Sequence, residues 1–114
     1  MSIDHKPNVP EEKARIEKAG GFVEDNRVDG GLNLARSLGD LKYKKDPKAS
    51  IDEQKVSCVP EIKIQTIDDS CRFLIIACDG IWDCKSSKDT IDFFKDHVNK
   101  KTFTFSNIVG CFLD

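Results

Sequence analysis

The pattern of apolar and polar positions divides the first half of the chain into a helix, a hairpin and a loop. The stretch Pro10 to Ala19 opens with proline and two acids, and Gly20-Gly21 follows it, which predicts a short helix. Apolar residues on either side of Asp25-Asn26 predict a tight hairpin turn. The alternation in Leu32-Asn33-Leu34 predicts a half-buried strand. Residues 40–55 are polar, basic and interrupted by proline, which favours a surface loop.

The second half of the chain has three stretches with the pattern of β-strands. Residues 56–59 and 62–67 favour strands on either side of Pro60. The run from Phe73 to Ala77 is continuously apolar, which predicts a central strand buried on both faces. Asp68-Asp69-Ser70 is the expected turn between the last two strands.

Two helices are predicted beyond these strands. After Asp79-Gly80 the apolar spacing changes from 2 to 3.6 residues, which predicts a helix over about 87–99, with Ser86 or Ser87 as its N-cap. A second short helix, capped by Ser106, would place three apolar residues on one face: Ile108, Val109 and Phe112.

Composition and charge narrow the classes of function. The chain has 114 residues, which is one domain or part of one, with 39% hydrophobic and 33% charged residues. Its 18 basic and 20 acidic side chains leave a net charge of −2, so no electrostatic feature favours a nucleic acid or an anionic membrane as partner. The five cysteines contain no C-x-x-C pair, which disfavours a zinc site and a disulfide framework. No secretory signal or membrane span is recognisable, so we expect a cytoplasmic or nuclear protein with reduced thiols.

The candidate chemistry lies where the predicted central strand ends. Asp79 follows the apolar run directly, so the strand would hold its carboxylate in place, and Gly80 would permit a sharp turn and a close approach of backbone to ligand. Carboxylate oxygens suit hard cations such as Mg²⁺ and Mn²⁺, and Asp83 lies four residues further on. Taken alone, an Asp-Gly pair after a strand is also what an ordinary turn before a helix requires.

A series of motifs in order resembles one known family. The segment FLIIACDGIWD (73–83) resembles the metal-binding segment of the type 2C protein phosphatases, which are metal-dependent serine/threonine phosphatases also called the PPM family. Four upstream segments resemble the successive motifs of that family: DHKP (4–7), RIEKAGGFV (15–23), RVDGGLNLARSLGD (27–40) and VSCVPEI (56–62). The chain is therefore identified as a member of this family, from the C-terminal part of its catalytic domain.

The resemblance implies a fold and a domain organisation. The expected class is α+β, a mostly antiparallel β-sheet with flanking helices that forms part of the α-β-β-α sandwich of the type 2C fold. Residues 1–114 would be a partial catalytic domain, with a flap-side region at about 10–55 and core strands and C-terminal helices at 56–114.

The resemblance also implies a mechanism and its site residues. In the family two Mg²⁺ or Mn²⁺ ions activate a water that attacks phosphoserine or phosphothreonine, so no catalytic side chain is expected within this chain. Asp79 is the implied metal ligand, Asp83 could help hold a further metal, and Gly80 belongs to the metal-binding turn. Arg36 and Asp40 match an element near the family's flap, where a structural role competes with a role in substrate binding.

The implied site is incomplete within these residues. The family's first metal motif and its closing Asp-Asn motif are absent from the sequence, so we expect weak or no metal binding and negligible turnover from residues 1–114 alone. The expected partner is a phosphorylated protein substrate. The alternatives are a non-catalytic pseudophosphatase or interaction module of the same fold, and a dimer formed through exposed sheet edges.

Overall fold

The computed structural model describes residues 2–98 and 104–113, and the chain divides into two compact units. Unit 1 is Met1–Thr66 and unit 2 is Ile67–Asp114. The division follows residue 66, and the expected boundary between a flap-side region and core strands near residue 55 stays a prediction. Each unit has its own cluster of buried apolar side chains.

Unit 1 begins with the predicted helix and hairpin. Helix α1 spans Pro10–Lys18, with proline in its first turn, and strands β1 (Val23–Glu24) and β2 (Arg27–Val28) pair antiparallel. Asp25 and Asn26 both have positive φ, 47° and 58°, which is the conformation that a two-residue type I′ turn requires. The predictions of the helix and the turn are both confirmed.

The core of unit 1 forms where α1, the hairpin and the later loop meet. Its five buried members come from widely separated parts of the sequence: Ile16, Val28, Ala35, Tyr43 and Val56. Gly31 packs closely beside this core, because a Cβ atom there would lie 2.8 Å from the Tyr43 hydroxyl and would force that side chain to shift. The predicted surface loop contains a short 3₁₀ helix at Leu41–Tyr43. Tyr43 is only 7% exposed and anchors this loop to the core.

The predicted sheet is the main correction to the expected fold. Within the described residues the regular strands are β1 and β2, and the predicted strands at 32–34, 56–59, 62–67 and 73–77 are not formed as such. Two isolated bridges, Val28–Leu32 and Arg36–Ser57, remain from the first two of these. A strand needs a neighbour that satisfies its backbone N–H and C=O groups, and the described part of the chain places none beside residues 62–67 or 73–77.

Unit 2 is built from three helices and an apolar segment without a ladder. Helix α2 spans Asp79–Trp82, α3 spans Ser87–Val98 and α4 spans Phe105–Leu113. Ser86 caps α3 as predicted, since its hydroxyl oxygen accepts from the Asp89 amide at 3.1 Å. The capping hydroxyl of α4 belongs to Thr104 rather than Ser106, and it accepts from the Asn107 amide at 3.3 Å. Residue 99, the expected end of α3, lies outside the described residues.

The core of unit 2 is aromatic. Phe94, Ile108 and Phe112 are buried, and the rings of Phe94 and Phe112 lie 5.2 Å apart between centroids. Val109, predicted on the same face, is 43% exposed, because it lies about 100° around α4 from Ile108, at the margin of the buried face. Within the described residues, no helix has the length and apolar character needed to cross a membrane.

Candidate functional site

The apolar segment before Asp79 has the burial pattern of a strand with one covered face. Phe73 and Ile75 pack against the aromatic core of unit 2, whereas Leu74 and Ile76 are 70% and 86% exposed. The expectation of burial on both faces is therefore wrong for unit 2. Cys78, which continues the alternation on the same side as Leu74 and Ile76, is exposed as well.

Asp79 lies at the junction between this segment and helix α2. It is the first residue of the helix, and its carbonyl accepts from the Asp83 amide at 2.7 Å. The indole N–H of Trp82 donates to the Ala77 carbonyl at 3.0 Å, which ties the short helix back to the segment that precedes it. The turn that carries Asp79 is therefore stabilised by this side-chain hydrogen bond as well as by those of the helix backbone.

Asp79 and Asp83 are placed one helical turn apart. Both side chains are exposed, and neither has a hydrogen bond or ion pair within the described residues. Gly80 occupies the second helical position, where a Cβ atom would meet only the Cys78 sulfur at 3.8 Å. The backbone itself therefore does not demand glycine here, and the predicted close approach to a ligand stays a prediction.

A complete metal site is not formed by the described residues. No group of three or more His, Cys, Asp or Glu side chains in that part of the chain is arranged to hold a metal ion. Two neighbouring carboxylates offer the hard oxygen ligands that Mg²⁺ and Mn²⁺ prefer, but fewer than a protein usually supplies to such a site. The donor set thus fits part of a divalent-metal site.

Arg36 lies in unit 1 and is engaged by a buried glutamate that the sequence reasoning did not single out. The Arg36 Nε donates to Glu12 Oε1 at 2.9 Å and its Nη1 to the Val59 carbonyl at 3.2 Å. Arg15 donates to the other carboxylate oxygen of Glu12. Glu12 is 1% exposed, so one buried carboxylate binds two guanidinium groups whose own side chains are partly exposed.

The charges around Glu12 keep it ionised. Burial raises the pKa of Glu12, whereas the hydrogen bonds and positive charges of Arg36 and Arg15 lower it. The lowering is the larger effect, so the pKa lies below its ordinary value of 4.5. An acid in the first turn of a helix is commonly explained by the helix dipole. The sequence feature that could have revealed the burial of Glu12 is its spacing of four residues from Ile16, which places both side chains on the same face of α1.

Two carboxylates approach His5, in the segment before α1. The His5 Nδ1 lies 3.3 Å from Glu12 Oε1, and its Nε2 lies 3.3 Å from Glu61 Oε2. Glu61 also lies 3.1 Å from Lys63. His5 thus stands between an acid on α1 and an acid at the end of the 56–62 segment.

Asp40 shapes the loop that follows Arg36 and does not pair with that arginine. It has left-handed backbone angles, φ 49° and ψ 42°, and its carboxylate accepts from the Ser37 hydroxyl at 2.8 Å. The Lys44 ammonium donates to the carbonyls of Ser37 and Gly39, both at 2.6 Å. These contacts fold residues 37–44 into a tight turn.

A shallow open groove lies beside this turn. It has a volume of about 380 Å³, and Arg36 and Leu38 line it together with residues 57–60. Leu38 is 87% exposed at its edge. The structure therefore places Arg36 and Asp40 in unit 1 and the two candidate metal ligands in unit 2.

Comparison with known proteins identifies the family. The model of the family described as Protein phosphatase 2C matches residues 1–109. The chain belongs to the protein phosphatase 2C family. It is 50% identical over 95 residues to Protein phosphatase 2C homolog 2 of Schizosaccharomyces pombe, an alignment that covers 83% of this chain and 26% of that protein. It is 48% identical over 91 residues to Probable protein phosphatase 2C 2 of Paramecium tetraurelia, covering 80% of this chain and 30% of that protein.

A solved structure agrees with this assignment. The crystal structure of a phosphatase from a pathogenic strain of Toxoplasma gondii matches with a TM-score of 0.51 and 54% sequence identity, covering 53% of this chain and 19% of that chain. The chain thus spans about a quarter of the length of the curated relatives named above. The resemblance inferred from the motifs is confirmed, as a partial match to the family.

Proposed function

We propose that this chain is the C-terminal part of the catalytic domain of a Mg²⁺- or Mn²⁺-dependent protein phosphatase that hydrolyses phosphoserine and phosphothreonine. The observation that carries the proposal is the family match over residues 1–109, together with the exposed carboxylate of Asp79 at the start of α2, which has no ion pair in the described part of the chain. Such a carboxylate is available to a cation without first breaking a contact within unit 2.

Asp79 and Asp83 are the residues that would hold the metal in this part of the domain. Their oxygen ligands suit a hard divalent cation, and their spacing of one turn presents both from the same short helix. When bound, such ions supply an activated water and stabilise charge on the phosphoryl oxygens. The complete domain would hold two of them, with the remaining ligands coming from outside these residues.

The finer fold belongs to the same proposal. Residues 62–67 and 73–77 would be strands of a mostly antiparallel sheet within the family's α-β-β-α sandwich. The alternating burial of residues 73–77 supports this, since period-two alternation is the pattern of a strand with one covered face. Ile62, Ile64 and Ile67, each at least 78% exposed in unit 1 or unit 2, would be covered by the rest of the domain.

The proposed partner is a phosphorylated protein in the cytoplasm or nucleus. The turn that carries Arg36 and Asp40 is the proposed substrate-side region, because it displays Leu38 at the edge of an open groove. The pairing of Arg36 with Glu12 favours a supporting role for that arginine over direct contact with a phosphate.

A Mn²⁺ titration of the 114-residue chain tests the assignment of Asp79. Paramagnetic broadening of amide NMR signals should be strongest near residues 79–84, even where affinity is weak, and Asp79→Asn should remove it. Asp96→Asn is the matched control, because Asp96 is an exposed acid on α3. Broadening that is unchanged in Asp79→Asn, or equally lost in Asp96→Asn, would contradict the assignment.

Activity is tested in a longer protein that contains these residues together with the rest of the domain. Asp79→Asn should lower kcat/KM for an aryl phosphate in Mn²⁺ by about 100-fold or more, because a lost ligand removes both charge stabilisation and positioning. Turnover equal to wild type in that variant would rule out the proposed role.

A non-catalytic interaction module of the same fold is the second candidate. The observation that favours it is that the described residues form no complete metal cluster while several apolar side chains are exposed. Absence of metal-dependent turnover in the longer wild-type protein would support this candidate. Turnover that depends on Asp79 would exclude it.

A further inference from the structure

We propose that Ser50, in the loop before the 56–62 segment, is a phosphorylation site for a kinase that recognises acidic residues after the serine, and that the added phosphate opens the turn at residues 50–53. The proposal does not rest on the proposed phosphatase activity. It rests on one exposed hydroxyl that is hydrogen-bonded to two carboxylates, those of Asp52 and Glu53.

The residues that follow Ser50 distinguish it from the other serines of the chain. Acids stand two and three residues after it, an arrangement that complements a basic substrate groove of a kinase. Two other serines, Ser37 and Ser86, also have an acid three residues further on. Ser37 is half-buried, and Lys88 stands between Ser86 and its acid. Of these three serines, Ser50 therefore combines an exposed hydroxyl with the most acidic following residues.

The folded turn uses Ser50 as a hydrogen-bond donor. Its hydroxyl lies 2.5 Å from Asp52 Oδ1 and 2.9 Å from Glu53 Oε2, and the hydroxyl hydrogen is donated to these carboxylates. The Ser50 carbonyl accepts from the Glu53 amide at 3.1 Å, which closes the turn. The Lys18 ammonium, followed by the hydroxyl and amide of Ser50, lowers the pKa of Glu53 to about 2. The turn is thus built around an ionised Glu53 that receives a donor from position 50.

Phosphorylation reverses the role of this side chain. The γ-phosphoryl group of ATP moves to Ser50 Oγ, the bond between that phosphorus and ADP breaks, and the hydroxyl proton passes to the base of the kinase. The product has lost its hydroxyl hydrogen and carries about 1.5 to 2 negative charges at neutral pH. The phosphate can therefore no longer donate to Asp52 and Glu53, and it repels both carboxylates.

The turn is also one of the contacts between this loop and helix α1. Glu53 Oε1 accepts from the ammonium of Lys18, the last residue of α1, at 2.8 Å, and a phosphate on Ser50 competes for the same cation. The next contact is more protected, because Arg15 Nε donates to the carbonyl of Gln54, which is 8% exposed. We therefore expect the turn to open while the loop stays attached to α1.

Treatment of the 114-residue chain with casein kinase 2 and ATP tests the site, since this kinase serves as an acid-directed probe. Mass spectrometry of the tryptic peptide 49–55 should show Ser50 phosphorylated faster than Ser86, and Ser50→Ala should remove that phosphate. Asp52→Asn should lower the initial rate by about three- to ten-fold, because it removes one recognised charge. Asp46→Asn is the matched control, since Asp46 is an exposed acid of the same loop that precedes the serine, and the rate should be unchanged.

Amide hydrogen exchange of the phosphorylated chain tests the opening of the turn. Protection of the Glu53 amide should fall by about two- to five-fold, the factor expected from surface charge contacts, whereas the Val28 amide in the hairpin should be unaffected. Kinase treatment of Ser50→Ala should leave both amides unchanged. Faster phosphorylation of Ser37 or Ser86, absence of phosphate at Ser50, equal rates in Asp52→Asn and Asp46→Asn, or an unchanged Glu53 amide would overturn the proposal.

Discussion

Unit 1 buries charge, whereas unit 2 buries aromatic rings. In unit 1 the carboxylate of Glu12 holds Arg15 and Arg36, and Arg15 also donates to the carbonyls of Ala35 and Gln54. In unit 2 Phe94 contacts the rings of Phe73, Phe93 and Phe112. The two clusters have the same structural role, since each joins segments that are distant in sequence.

The difference lies in how strictly each cluster specifies its partners. A buried carboxylate is stable only where donors are positioned to match it, so the Glu12 contacts favour this arrangement of the segments around it. Aromatic packing is less directional, and unit 2 leaves a second apolar stripe exposed on α4, formed by Phe105, Val109 and Leu113. Unit 1 is therefore the more closely specified part of the described chain, and unit 2 has surface that the rest of a longer domain would cover.

Loss of the buried carboxylate should have the largest effect. Glu12→Gln leaves two arginines without their shared anion, so we expect unit 1 to lose about 3–5 kcal/mol of unfolding free energy, measured by urea denaturation. Glu11→Gln, at the exposed neighbouring position, should change stability by less than about 0.5 kcal/mol. Equal effects of the two substitutions would show that the Glu12 network does not specify unit 1.

Lowering the pH should destabilise unit 1 more than unit 2. The pKa of Glu12 lies below its ordinary value, so its stabilisation is present above about pH 4.5 and is lost as pH falls through the lower folded-state value. Burial raises the pKa of Asp29 as well, but the Lys55 ammonium and the Phe22 amide lower it overall. We therefore expect NMR signals of unit 1 to disappear before those of unit 2 on acidification, and the reverse order would contradict the comparison.

Truncation of the aromatic core should weaken unit 2 alone. Phe94→Ala removes a side chain that is 7% exposed and contacts three other rings, so we expect a loss of about 3 kcal/mol in unit 2. The control is Phe105→Ala, because Phe105 is 63% exposed. Amide exchange resolves the two units, and a comparable loss of protection in unit 1 would show that the units are not separate.

The smallest effects should come from glycine-to-alanine substitutions, which we expect to change the free energy of unfolding in opposite directions in the two units. Gly31→Ala places a Cβ atom 2.8 Å from the Tyr43 hydroxyl and should destabilise unit 1 by about 1–3 kcal/mol. Gly110→Ala, within α4 and with no atom within 4 Å of the added carbon, should stabilise unit 2 by about 0.5–1 kcal/mol. Thermal unfolding of both variants measures the two signs, and a common sign would contradict the packing described here.

Local features of the fold were predictable because they depend on neighbouring residues. Proline in the first turn indicates the start of helix α1, and Asp25-Asn26 forms the turn because both residues tolerate positive φ. The Ser86 cap follows from a hydroxyl group directly before the first turn of α3. Asp79 was recognisable because the segment around it resembles a family motif. The strands at 62–67 and 73–77 were not formed as predicted, because a strand depends on a neighbour that these residues do not provide.

The sequence by itself determined the family, the three longer helices α1, α3 and α4 and the hairpin turn of this protein, and it identified Asp79 as the residue to test. Only the tertiary structure decided that Glu12 is buried between two arginines, that His5 lies between two acids and that Leu74 and Ile76 are exposed. The physical reason is one of range. Capping, turn formation and helical periodicity act over a few residues, whereas burial and ion pairing join side chains that are 20 to 60 residues apart in the sequence, as Arg36 and Glu12 or His5 and Glu61 are.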